Sequence, residues 1–95
     1  MNTIVSRTAQ IAKWQASLAL LSNAELINKV NREVGICAWT SSRADYLSCL
    51  HKEIRKRSFN SNILFDFDAN GTVISFKLKN KVQLINQALE FISQS

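Results

Sequence analysis

The chain has no proline and only two glycines, Gly35 and Gly71, so just two positions along its 95 residues enter left-handed backbone conformations without steric strain. Glycine enters left-handed conformations freely, and proline is the residue that removes a backbone donor. With so few breakers the elements must be long and the loops short, and other residues must supply the remaining ends. A chain of this length holds one domain, residues 1–95, that buries somewhere near two-thirds of its unfolded surface.

Gly71 follows Asn70, and the segments 63–68 and 72–78 on either side are rich in β-branched and aromatic residues. Asn-Gly between two such runs predicts a two-residue hairpin turn. The register this implies sets Phe67 against Ile74, Phe65 against Phe76 and Ile63 against Leu78. One face then holds those six large apolar side chains. The other holds Leu64, Asp66, Asp68, Val73, Ser75 and Lys77 and faces water.

Gly35 closes a helix instead. Ser22-Asn23-Ala24-Glu25 has the spacing of a capping box, and Leu26, Ile27, Val30 and Val34 follow at helical spacing, which predicts a helix over 23–34. On its outer face Glu25, Lys29 and Glu33 alternate in sign at four-residue steps, as a self-paired solvated surface would. Upstream, Ile4, Ile11, Trp14, Leu18 and Leu21 make one helical stripe over 4–21, with Ala9, Ala12, Ala16 and Ala19 beside it. Downstream, Thr40, Ser41 and Ser42 can cap a helix over 41–57 that buries Leu47, Leu50 and Ile54. Asn80 with Gln83 three residues on, then Val82, Ile85, Leu89 and Ile92, predicts a last helix over 81–93. The expected fold class is α+β, with three helices, a two-stranded antiparallel hairpin and a C-terminal helix.

Several chemistries find little support. Asp66-Phe67-Asp68-Ala69-Asn70-Gly71 imitates the first half of a calcium loop, yet Lys77 stands where a closing glutamate is needed. Cys37, Cys49 and His51 are the only soft ligands, and Cys49 and His51 lie about 200° apart around a helix, so no zinc site is expected. The two cysteines read as small apolar residues of a reducing compartment. A single histidine and no phosphate-cradling glycine loop predict neither enzyme nor cofactor. No run approaches the ~20 apolar residues of a membrane span. The segment before residue 25, with Arg7 and Lys13 and no acid, faintly resembles a transit peptide but is read as part of the fold. A cytoplasmic location is the expectation.

Charge is the remaining signal. Twelve Lys and Arg against seven Asp and Glu give a net +5 and a pI near 9.6. The densest part is the end of the 41–57 helix, where Lys52, Arg55 and Lys56 follow His51 and Arg57 is expected to pair with Glu53 one turn back. A basic helix end suits nucleic acid or an acidic protein, and it also suits the helix dipole.

In its order of elements, a helix, a capped helix, a turn, a third helix and a hairpin, the chain resembles the winged helix-turn-helix family over residues 4–78. That resemblance implies a third helix lying in the DNA major groove and a hairpin serving as the wing. It would place Ser41, Ser42, Arg43, Asp45 and Tyr46 against bases and phosphates, with Arg43 the residue suited to guanine. Lys52, Arg55 and Lys56 would add phosphate contacts, and a homodimer through the helices over 4–21 and 81–93 is expected. The implied function is nucleic-acid binding, of the kind a transcriptional regulator performs. The alternative is an adaptor or inhibitor that meets an acidic or apolar protein surface.

Overall fold

The computed structural model describes residues 3–36 and 40–92. Its elements are α1 (Thr3–Ala19), α2 (Asn23–Glu33), α3 (Ser41–Lys56), a 3-10 turn (Asn62–Leu64), β1 (Phe65–Phe67), β2 (Val73–Phe76), β3 (Val82–Ile85) and β4 (Ala88–Phe91). The strands form two separate antiparallel pairs, β1 with β2 and β3 with β4. The expectations for Cys37, for the indole of Trp39 and for the side chain of Ile4 lie outside the described residues.

The helix starts follow the capping chemistry. The Ser22 hydroxyl accepts from the Glu25 amide at 3.1 Å and the Glu25 carboxylate accepts from the Ser22 amide at 2.9 Å, a complete box. These bonds hold the Glu25 carboxyl below its usual range. Thr40 Oγ1 accepts from the Arg43 amide at 3.0 Å and so starts α3. Gly35, at φ +80°, turns the chain out of α2 as expected.

Three contacts fix how α1 lies on α3. Arg7 grips the Asp45 carboxylate with two bonds of 2.8 Å, the Cys49 thiol points at the Ile11 carbonyl at 3.9 Å, and Arg57 donates to the Leu18 carbonyl at 3.1 Å. The partners are 38, 38 and 39 residues apart, so the two helices run parallel. α2 runs the other way, since its end meets the start of α3 through Glu33 and Arg43, and its start meets the end of α3 through Asn23 and Arg57.

Leu18, Leu26, Val30, Leu50, Ile54, Phe59, Leu64, Phe65, Val82 and Leu89 are buried together in one core. Each large apolar side chain taken from water contributes about 1.5–3 kcal/mol. Ile11, Trp14 and Leu21 pack half-buried against this core, whereas Ala9, Ala12, Ala16 and Ala19 face solvent.

The first hairpin departs from its expected register. Phe65 opposes Phe76 as predicted, but Phe67 opposes Val73 across a bulge, and Ile74 is turned out to 64% exposure. The cause is the turn. The Gly71 amide donates to the Asp68 carbonyl and the Asp68 amide to the Thr72 carbonyl, and only Gly71 of the Asn-Gly pair has positive φ. That is a type I turn followed by a left-handed glycine bulge, one residue longer than the two-residue turn. Asp68 favours it by accepting the amides of Asn70 and Thr72, both at 2.9 Å, on one carboxylate oxygen. The extra residue moves Val73 to the inner face and Ile74 to the outer one. Leu64, expected on the outer face, is buried because residues 62–64 form the 3-10 turn.

The C-terminal helix over 81–93 is overturned. Residues 82–91 form the β3–β4 hairpin, with Asn86 and Gln87 as its two-residue loop at φ 49° and 69°. Left-handed conformation at both central residues is the type I′ pattern that matches strand twist. Val82 and Leu89 face the core, Ile85 and Ile92 stay 38% and 41% exposed, and a helical stripe would have buried them. The hairpin is clamped at both ends. Asn31 exchanges two bonds of 2.9 Å with the Val82 backbone, and Asn60 bridges to Ala88, its amide donating to Gln87 and its carbonyl accepting from Leu89. The expected dimer surface therefore lacks one of its two helices, because residues 82–91 are a pair of strands.

Candidate nucleic-acid interface

The predicted site residues divide between the two ends of α3. Ser41 and Ser42 are exposed at its start, where with Arg7, Gln10, Trp14 and Asp45 they line a groove of about 360 Å³ between α1 and α3. Tyr46 packs edge-on against Trp14, ring centroids 5.4 Å apart, and burial followed by the nearby Glu33 charge raises its pKa. Arg43 is folded back onto α2, with Nε 3.2 Å from the Glu33 carboxylate and Nη2 3.4 Å from the Glu33 carbonyl. Its side chain is 16% exposed, so the one residue suited to guanine is committed within its own chain. This ion pair also replaces the expected Glu33 to Lys29 pairing, and Glu25 is engaged by its cap.

Lys52, Arg55 and Lys56 stand at the other end, exposed and spaced three and four residues apart on neighbouring turns. Ten residues of helix separate Ser42 from Lys52, about 15 Å along the axis, so the two groups do not form one compact site. Among the described residues Lys52 and Lys56 enter no ion pair. Arg55 is held in place by its neighbours. Its guanidinium carbon lies 5.4 Å from the Phe65 ring centre and 5.6 Å from that of Phe67, and Nη1 donates to the Asn62 side chain at 3.2 Å. An Arg on aromatic faces keeps its charge and its other donors available at a lower ordering cost. Arg57 joins none of this, because Glu53, Asn23 and the Leu18 carbonyl surround it.

No family model matches the chain. No curated protein and no solved structure matches it either. The chemistry of the surface must therefore carry the functional reading.

The aromatic base beneath Arg55 includes His51, whose ring centre lies 4.9 Å from Phe65 and 5.8 Å from Phe76. Burial, then the charges of Arg55 and Lys52, lower its pKa from the ordinary value. The native state thus favours neutral His51 while the unfolded chain takes up a proton near pH ~6.5. This contribution to stability is present above that pH and is lost as pH falls through the lower native value. Urea midpoints measured downward from neutrality should fall in this window, before carboxylates titrate, and His51→Gln should flatten the decline. An unchanged slope in the variant would reject the assignment.

The other predicted reactive groups are accounted for structurally. Cys49 is buried, and burial pushes its thiol up, away from the thiolate a nucleophile needs. Asp66 accepts from Ser75 Oγ at 2.7 Å and lies 3.4 Å from Lys77 Nζ, which hold its carboxyl below the usual range. Among the described residues no helix is long and apolar enough to cross a membrane, and no three His, Cys, Asp or Glu side chains gather as metal ligands would.

Proposed function

We propose that this domain binds nucleic acid through the C-terminal half of α3, with Lys52, Arg55 and Lys56 as its phosphate contacts. One observation carries the reading: the net positive charge is concentrated in cations that the fold leaves unpaired. Among the described residues four Lys or Arg are in ion pairs, which leaves eight of the twelve, and four of the seven acids are engaged, which leaves three. Three of those eight cations stand within five residues on one helix, beside an aromatic surface that orients one of them. Phosphates near such a cluster displace condensed counterions, which drives binding and makes it salt-dependent.

A winged-helix-like arrangement is part of the proposal, with β1 and β2 as the wing and α3 as the contact helix. The contact moves from the start of α3 to its end. Ser41, Ser42 and Tyr46 border the α1 groove, and Arg43 is held by Glu33, so base-specific reading from that end has no free guanidinium to use. Binding driven by phosphates at a helix end is weakly sequence-specific.

Fluorescence anisotropy with labelled oligonucleotides at several salt concentrations tests this directly. Replacing Lys52, Arg55 and Lys56 together by Ala should reduce the slope of log K against log salt by about two to three on duplex DNA, near 0.9 per lost phosphate contact. No binding to duplex or single strand at low salt would remove the proposal and leave the acidic protein partner. Binding by the triple variant with an undiminished slope would remove the assigned residues.

A further inference from the structure

The segment 77–81, between the two hairpins, carries Lys77, Lys79 and Lys81, and one large aromatic side chain stands beside it in water. Phe91 is paired across the second hairpin with the buried Val82, yet is itself 50% exposed. Its backbone is fixed by the strand pairing and by the Ile92 amide donating to the Lys81 carbonyl at 3.0 Å. With Lys77, Lys79 and Asn80 it lines a cleft of about 220 Å³. Glu90 pairs with Gln83 on the opposite face of the hairpin and does not oppose this charge. Lys77 reaches Asp66, whereas Lys79 has no ion pair among the described residues. The same segment borders a second opening of about 330 Å³, lined by Asn28, Asn31, Arg32 and Lys81.

We infer that this cleft is a stacking site for one unpaired base of a single-stranded nucleic acid. Phe91 supplies the ring face, Lys79 a flanking phosphate contact, and Arg32 with Lys81 a contact for the next phosphate. The size of the cleft argues for a strand and against a free nucleotide. Small-molecule sites usually enclose about 300–1,000 Å³ and bury most of their ligand. This one is smaller, and a half-exposed ring leaves one face of the base in water. A base on an aromatic ring contributes about 1–3 kcal/mol, too little to hold a lone nucleotide but useful as one contact among several along a strand. Duplex DNA keeps its bases stacked inside and gains nothing from Phe91.

This inference rests on the nucleic-acid reading above, and the experiment separates the two. A short labelled strand and its duplex are titrated with the native protein and with Phe91→Leu, Phe91→Trp, Lys79→Ala and the triple Lys52, Arg55, Lys56 variant. Phe91→Leu keeps an apolar side chain beside Val82 but loses the flat ring. It should weaken the single strand by about 5- to 150-fold, the factor equivalent to one stacked base. Duplex affinity should change less than about twofold, and Phe91→Trp should restore single-strand binding. Lys79→Ala should weaken the single strand and flatten its salt slope by about one. If Phe91→Leu leaves the single strand unaffected, or weakens both ligands equally with a lowered melting temperature, the stacking site is wrong. The triple variant weakening both ligands in that same series keeps the nucleic-acid reading; no binding of either ligand by native protein removes both.

Discussion

Arg57→Ala should be among the most damaging single substitutions in this protein, lowering stability by about 2–4 kcal/mol. The guanidinium is only 15% exposed and its partner Glu53 only 11%. It donates Nε to Glu53 at 2.8 Å, Nη1 to Asn23 at 2.9 Å and Nη2 to the Leu18 carbonyl at 3.1 Å. One side chain thus joins the end of α1, the start of α2 and the end of α3. Removing it leaves a largely buried carboxylate without its cation, which is costlier than the bond itself, and takes from the Leu18 carbonyl one of its two donors, the Leu21 amide at 3.2 Å remaining. The melting temperature should fall on the order of 10–30 °C for a domain of this size. Arg57→Lys should lie between the two, since an ammonium restores charge but cannot reach three separated acceptors in a fixed plane. Urea unfolding followed by helical circular dichroism gives the number. A loss under about 1 kcal/mol, the range of a solvated surface pair, would mean that Glu53 and Arg57 rearrange into water.

Asn31→Ala should have the next largest effect, about 1.5–3 kcal/mol, and a different pattern. Asn31 Nδ2 donates to the Val82 carbonyl and its Oδ1 accepts from the Val82 amide, both at 2.9 Å. The amide side chain therefore treats the first residue of β3 as a neighbouring strand would. Without it, the buried Val82 keeps two backbone groups with no replacement on that side. Loosening should be local before it is global. Hydrogen exchange should quicken in 82–91 more than in α3, whose core residues Leu50 and Ile54 do not depend on this contact. Equal acceleration in both regions would show that the second hairpin and the helices unfold as one unit. Asn31→Asp, near in shape, should fail as well, because an ionised carboxylate cannot donate to the Val82 carbonyl.

These two residues also show what could be read from the sequence. The starts of α2 and α3 were legible, since Ser22 with Glu25 is a local device that spans four residues and Thr40, Ser41 and Ser42 mark the start of α3 to within three positions, of which the fold uses Thr40. Glu53 with Arg57 was legible too, at four-residue spacing, although its links to Asn23 and Leu18 were not. The last segment misled because Val82, Ile85, Leu89 and Ile92 fit a helix while Val82, Leu84, Leu89 and Phe91 fit a hairpin. Local pattern does not choose between them. What decided it was a turn at Asn86 and Gln87 without glycine, and the reach of Asn31 and Asn60 from far upstream.

The candidate site divides in the same way. Lys52, Arg55 and Lys56 were visible as a cluster, because three cations within five residues of a helix stay near one another in any fold that keeps the helix. The engagement of Arg43 was not legible, since the Glu33 carboxylate that holds it lies ten residues back on the preceding helix, at a spacing that local pattern does not describe. Phe91 lies within the segment whose spacing predicts a helix over 81–93, and that reading conceals it. Only a period of two through Leu89 and Phe91 would have moved it to a strand end and towards the surface.

The parallel course of α1 and α3 has a consequence for how the chain finds its fold. Arg7 with Asp45, Ile11 with Cys49 and Leu18 with Arg57 all close loops of 38 or 39 residues. The entropy of the first closure is about 3 kcal/mol beyond a constant, taken as 3/2 RT times the logarithm of the loop length. Once one contact exists, each of the others closes only a few additional residues. All three therefore share a single entropic barrier, and α1 should dock onto α3 as a zipper that is either fully engaged or fully open.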